Sequence, residues 1–212
     1  MWALVKDNKI QQIYQRPKSL VIGEVRYPSN MFTKYTDDEK AAIGIYPVED
    51  NGIKGDDRFE YTSQAIYSFS ASDKKITTSY TITAKSLVDV NNVDEDGNAI
   101  LDYKGNQIVS LGLKSIAKQK AKQQSNNYIK QFNWLVERSI YDSSKTIPNA
   151  VRTYVGNIKA DCATIEAAID GASDMAAFKA LYEDTRDSDG NVTEVAKVNR
   201  WSDDYDVKTY LR

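Results

Sequence analysis

The chain contains no histidine among its 212 residues. That removes the commonest general base, the usual partner of a nucleophilic serine and the commonest metal ligand together. It has a single cysteine, Cys162, which excludes an intrachain disulfide and a thiolate zinc site of the usual kind. Cys162 lies in NIKADCATIEAAI at helical spacing from Ile158, Ile165 and Ile169, so a buried structural thiol is expected rather than a nucleophile. No apolar run approaches the roughly 18 residues of a membrane span. The opening MWALVKDNKI lacks the charged-then-apolar order of a secretory leader. A soluble protein made in a reducing compartment, or released by cell lysis, is therefore expected, with no membrane partner.

An excess of either charge is lacking too, with 28 lysines and arginines against 30 aspartates and glutamates. The formal net charge is −2, so nothing draws the chain as a whole toward nucleic acid. Lys114, Lys118, Lys120, Lys122 and Lys130 form the one basic cluster; on a helix with few aromatics they describe a solvated face, with a phosphate-binding stripe as the alternative. The strings GxxxxGK[ST], GxGxxG and GxSxG do not occur, which removes the common nucleotide and hydrolase motifs. Carboxylates such as Asp37, Asp38, Glu39, Glu49, Asp50, Asp56 and Asp57 fall in capping and turn contexts rather than as a pair facing a groove. The chain is expected to be no enzyme and to hold no cofactor or metal.

What is present suits a folded protein: 41% hydrophobic and 27% charged residues. Tyrosine outnumbers phenylalanine 14 to 5, a bias of interfaces and equally of two-faced sheets. Trp2, Leu4 and Val5 precede the Asp7-Asn8 turn, and Ile10, Ile13 and Tyr14 follow it, predicting a hairpin. Ser19 to Val25 is expected as a second extended piece. In TDDEKAAIG, Thr36 and Glu39 have capping-box spacing and Gly44 closes the short helix before a strand at Ile45 to Val48. Alternation from Phe59 to Val90 predicts an antiparallel meander, followed by a short hairpin or excursion with the turn signals DEDGN and YKGN.

The second half is helical. Leu113, Ile116, Ala117, Ala121, Tyr128, Phe132 and Leu135 predict one helix from about Lys114 to Ile140. Pro148 opens a second, with Val151, Val155, Ile158, Cys162, Ile165 and Ile169 as its stripe. Ser173 or Asp174 caps a third, short helix carrying Phe178 and Leu181. The expected class is α+β: a β-rich N-terminal part with hairpins and a short helix, then a C-terminal helical hairpin with a third short helix. The expected organisation is a β unit over 1–50, the meander and exposed hairpin over 51–110, the helical hairpin domain over 111–185, and a turn and tail over 186–212, with the main boundary near Leu111.

Two local features invite a functional reading. From Asn92, the segment NVDEDGNAILDY places Asp94, Asp96 and Gly97 as in the start of a calcium loop, but its twelfth position is Tyr103 instead of glutamate. An Asp-Gly turn explains it better. Trp134, next to an apolar stripe, reads as core, whereas Trp201, after a polar turn, is the best tryptophan for docking onto a partner or onto its own domain.

The opening MWALVKDNKI, the following YPSN and the capped helix ending AIGIYPV resemble the N-terminal module of bacteriophage tail-fibre-assembly and related tail proteins. NWLVERS and TIPNAVRTYVGNIK resemble their C-terminal helical module, the matching positions being Trp134, Arg138, Pro148, Arg152, Tyr154 and Lys159, with Trp201 as the late tryptophan. The resemblance spans about half of the chain. It implies a non-enzymatic virion protein of the tail, made in the host cytoplasm, that docks on other tail or fibre proteins as a homo-oligomer or in several copies. Trp201, Arg152, Lys159 and Tyr154 are the implied docking residues. A fibre-assembly chaperone and a host-glycan-binding module are the alternatives. The chain departs from the pattern in its long β stretch from Phe59 to Val109 and in the Ser202 and charged tail after the tryptophan. Both departures favour a resident tail part over a transient factor.

Overall fold

A computed structural model describes residues 1–203 and 205–211. The protein is α+β, with a β-rich first half and most of its helix in the second, and it divides into two compact units, Met1–Ala84 and Lys85–Arg212.

In the first unit, β1 (Trp2–Lys6) and β2 (Lys9–Tyr14) form the expected hairpin. Asp7 and Asn8 turn it with φ of 52° and 59°, left-handed conformations that short polar side chains tolerate. The piece expected to be extended from Ser19 to Val25 is instead folded at Gly23 into β3 (Leu20–Ile22) and β4 (Val25–Tyr27). One helical turn, α1 (Met31–Lys34), was not legible in the sequence and buries Met31 and Phe32. It is followed by α2 (Asp37–Ala42), which has the predicted capping box: Glu39 N–H donates to Thr36 Oγ1 at 3.2 Å and Thr36 N–H to Glu39 Oε2 at 2.8 Å.

After Gly44, β5 (Ile45–Glu49) pairs antiparallel with β1. The stretch expected as a simple meander is a nested arrangement. β6 (Glu60–Thr62) pairs with β9 (Ile82–Ala84), and between them β7 (Ile66–Ser70) and β8 (Lys75–Ser79) form a hairpin. β8 then lies parallel to β5, Val48 opposite Ile76. The alternation of two identifies strands but carries no partner, and here the partner is chosen by burying Ile76 beside Val48 and Ala3. The sheet runs β2-β1-β5-β8-β7, and its ends β2 and β7 come within 8 Å of each other, so it curls toward a barrel. β1 feeds both sides: Ala3 and Val5 pack with Val48 and Ile76, whereas Trp2 and Leu4 pack with Met31 and Phe32.

In the second unit, β10 (Val90–Asn91) and β11 (Val109–Ser110) close a segment that leads into α3 (Leu113–Lys130). The residues just before β10 belong with the helices because they cap α3. Leu113 N–H donates to Ser86 O, Lys114 N–H to Leu87 O, and Gly112 N–H to Asp89 Oδ1 at 2.7 Å. The division between units therefore falls at Ala84, before the change of composition near Leu111.

The single helix expected up to Ile140 is broken. Phe132, with φ −105° and ψ 3°, separates α3 from α4 (Asn133–Tyr141). Phe132 is buried as its place in the apolar stripe implies, edge-on to Tyr154, but the stripe does not reveal the break. Next, α5 (Asn149–Gly171) starts directly after Pro148 and buries Val151, Tyr154, Ile158, Cys162, Ile165 and Ile169. It runs antiparallel to α3, since Lys118 meets Asp170 and Lys122 meets Glu166. Those lysines of the basic cluster thus clamp two helices. Asp174 caps α6 (Met175–Ala180) through Ala177 N–H at 2.8 Å. A last hairpin, β12 (Thr185–Arg186) and β13 (Val192–Glu194), precedes 3-10 turns at Lys197–Asn199 and Tyr205–Tyr210. Among the described residues no helix is long and apolar enough to cross a membrane.

Candidate interaction surfaces

The segment from Val90 to Ser110 is a three-leaved junction. Asn92, Ile100 and Ile108 stand eight residues apart and bind one another in a ring: Asn92 N–H donates to Ile108 O at 2.9 Å, Ile108 N–H to Ile100 O at 2.8 Å, and Ile100 N–H to Asn92 O at 3.0 Å. The Gln107 side-chain amide points at the same three carbonyls, 2.6 Å from Asn92 O, 3.1 Å from Ile108 O and 3.3 Å from Ile100 O. One leaf is the stem of β10 and β11; the others are closed by the bridges Val93–Ala99 and Leu101–Gln107.

The two free leaves have matching sequences, VDEDGNAI and LDYKGNQI, and matching turns. Asp94 Oδ1 accepts from Asp96 N–H and Asn98 N–H, and Asp102 Oδ1 accepts from Lys104 N–H and Asn106 N–H. Gly97 and Gly105 sit at φ +82° and +84°, the left-handed region that glycine enters freely. A third copy of this turn, Asp187 to Asn191, closes the β12–β13 hairpin. In all three the amides hold the carboxylate below its ordinary range: backbone Asn98 first for Asp94, backbone Asn106 first for Asp102, and the Asn191 side chain first for Asp187. The start of the calcium-like pattern is thus a self-satisfied turn, with Asp94 engaged by its own backbone.

No residue from Val88 to Leu111 is buried. The junction is held by hydrogen bonds while its aliphatic side chains face outward. Val93, Leu101 and Val109 follow the three ring residues, and all three are exposed. Val88, Val90 and Leu111 are exposed nearby, and Tyr103 stands 90% exposed at a leaf tip. A surface so apolar, on a frame that needs none of it for a core, has the character of an interaction site.

The second unit places the four expected docking residues differently. Tyr154 is only 9% exposed and its ring packs inside, 5.6 Å from that of Phe132. Trp201 packs on Tyr128, ring centroids 5.5 Å apart, with an indole N–H that meets no acceptor among the described residues. Arg152 and Lys159 are exposed, two turns apart on α5. Arg152 rims an apolar groove of about 150 Å³ walled by Ile129, Phe132, Val136, Ile147, Val151 and Val155. Trp134 belongs to the fold: its N–H donates to Tyr210 O at 3.2 Å, and the Arg138 guanidinium lies 5.2 Å from its ring.

A cleft of about 270 Å³ beside α5 carries Asp161, Lys197 and Arg200. Two of these are occupied by structural bonds, Asp161 by Ser202 N–H and Arg200 by Glu194 and Val195 O. Burial pushes the Cys162 thiol up, away from the reactive thiolate. Among the described residues no three histidine, cysteine, aspartate or glutamate side chains gather as a metal set. Comparison with known proteins found no matching family model, no matching curated protein and no matching solved structure.

Proposed function

We propose that the chain is a non-enzymatic structural part of a bacteriophage tail, retained in the virion, which works by docking onto other tail or fibre proteins. The observation that carries the docking half is the three-leaved junction, where backbone, asparagine, aspartate and glutamine hydrogen bonds fix the shape and leave the aliphatic side chains free. Such a surface binds by burying area in a preformed geometry, so little ordering cost opposes association. The phage context rests on the sequence resemblance at MWALVKDNKI, NWLVERS and TIPNAVRTYVGNIK.

The test combines two measurements. Mass spectrometry of purified particles should find the protein in stoichiometric amount; its presence in lysate and depletion from particles would replace the resident role by an assembly role. A tagged chain should retain tail or fibre proteins in a pull-down, and Leu101→Glu should release them. Leu101 is 53% exposed, so the substitution removes an adhesive side chain without opening a core. Equal retention by both proteins would show that the junction is not the docking face.

A further inference from the structure

The outer side of α4 carries both halves of a contact. Phe132, Val136 and Ile140 follow one another at four-residue spacing, and exposure rises along this ridge from buried Phe132 through Val136 at 45% to Ile140 at 73%. The inner end of the ridge forms a wall of the groove with Ile129, Ile147, Val151 and Val155. Its outer end stands clear of the fold, and beside it Tyr141 is 90% exposed. A twofold axis near Val136 would seat Ile140 of each copy in the groove of the other, a self-complementary contact in which each copy offers the same patch.

Charge agrees with this seating. Glu137 lies on the row next to the ridge, four residues before Tyr141, whereas Arg152 stands at the groove rim with Lys159 two turns beyond it. Neither Glu137 nor Arg152 has an ion-pair partner among the described residues. The same axis would bring Glu137 of one copy toward Arg152 of the other, twice per pair. The exposed parts of Val136, Ile140 and Tyr141 amount to on the order of 400 Å² per copy, with a fully exposed ring supplying about 200 Å² of it. This falls short of the roughly 800 Å² per partner of a standard interface.

We propose that α4 and the start of α5 form a weak twofold homodimer, with Ile140 in the partner's groove and Glu137 against the partner's Arg152. The contact goes beyond the docking reading by naming the surface, α4 with the start of α5, through which two copies of this chain pair.

Sedimentation velocity of the full chain, from micromolar to submillimolar concentration, tests it. The expected result is a monomer–dimer equilibrium that Ile140→Asp weakens at least about tenfold. Glu137→Arg and Arg152→Glu should each weaken self-association, and an equimolar mixture of the two variants should dimerise more tightly than either alone. Only a contact between copies makes the mixture complementary. A wild-type chain that sediments as a monomer throughout overturns the pairing, and so does a dimer indifferent to Ile140→Asp or a mixture no tighter than its components. These outcomes are separate from particle composition, which judges the tail reading independently.

Discussion

Replacing Gly112 by alanine should loosen the start of α3 by steric pressure alone. Its φ of −75° suits any residue, so no left-handed strain is involved. A Cβ at this position would lie 2.3 Å from Val88 C, 2.5 Å from Val88 O and 2.6 Å from Leu87 O. All three atoms are backbone, so no side chain can rotate away, and the segment must retreat by at least about 1 Å to reach ordinary contact. That same segment receives Leu113 N–H, Lys114 N–H and, through Asp89, Gly112 N–H. Losing three hydrogen bonds at about 1 kcal/mol each costs about 3 kcal/mol. Removing a glycine from the unfolded chain returns at most about 1 kcal/mol. The net loss of about 2–3 kcal/mol should appear as a lower denaturant midpoint at constant slope. Amide exchange should accelerate at Leu113, Lys114 and Ile116, whose N–H groups bond to Ser86, Leu87 and Gly112. The control is Gly156→Ala in α5, where a Cβ meets nothing within 4 Å, and the change should stabilise by about 0.5–1 kcal/mol. A Gly112→Ala protein within about 0.5 kcal/mol of wild type would refute the argument.

Gln107→Glu should open the three-leaved junction, because a carboxylate in place of the amide would face three carbonyl oxygens; a local loss of about 2 kcal/mol is expected. Faster exchange at Asn92, Ile100 and Ile108 is the readout, and unchanged exchange there would count against the ring. Acid should act on the three DxxGN turns together. Asp94, Asp102 and Asp187 have folded-state pKa values below the ordinary carboxylate range, so their contribution is present above about pH 4 and is lost as pH falls through the folded values. Amide shifts of Asn98, Asn106 and Asn191 should move in that acid window and stay flat near neutrality; a midpoint at or above the ordinary carboxylate value would contradict the turn geometry. Thr36→Ala should cost about 1 kcal/mol in the first unit by removing its capping box, seen as a lowered midpoint that Thr36→Ser largely restores.

Features written in neighbouring residues were legible. The Asp7-Asn8 hairpin, the Thr36–Glu39 box, the Asp174 cap and the α5 stripe depend on side chains acting within a turn or two of their own position. Features that need a distant partner were not. Nothing near Ile76 says that β8 joins β5 in parallel, and the apolar spacing runs unbroken through Phe132 although the helix does not. The candidate surfaces divide in the same way. Arg152 and Lys159 are exposed as expected, but Tyr154 stands three residues after Val151 and four before Ile158, the spacing of the core stripe, and that signal could have placed it inside. The turns at DEDGN and YKGN were legible, but the eight-residue period that relates them was not read from the sequence. Its consequence, a closed ring, requires the stem of β10 and β11 to supply the third side.

That ring separates the frame of the junction from its tips. A leaf leaves the ring at Asn92 and returns at Ile100, or leaves at Ile100 and returns at Ile108, each exchange fixed by a single backbone hydrogen bond. The residues between Asp94 and Gly97, or between Asp102 and Gly105, contribute nothing to the ring itself. The leaves are therefore cassettes: each tip is set apart from the three bonds that hold the ring and from the stem. Frame and tip are thus separate in this segment, so changes in the tip sequences would alter what the junction presents without touching the bonds that shape it.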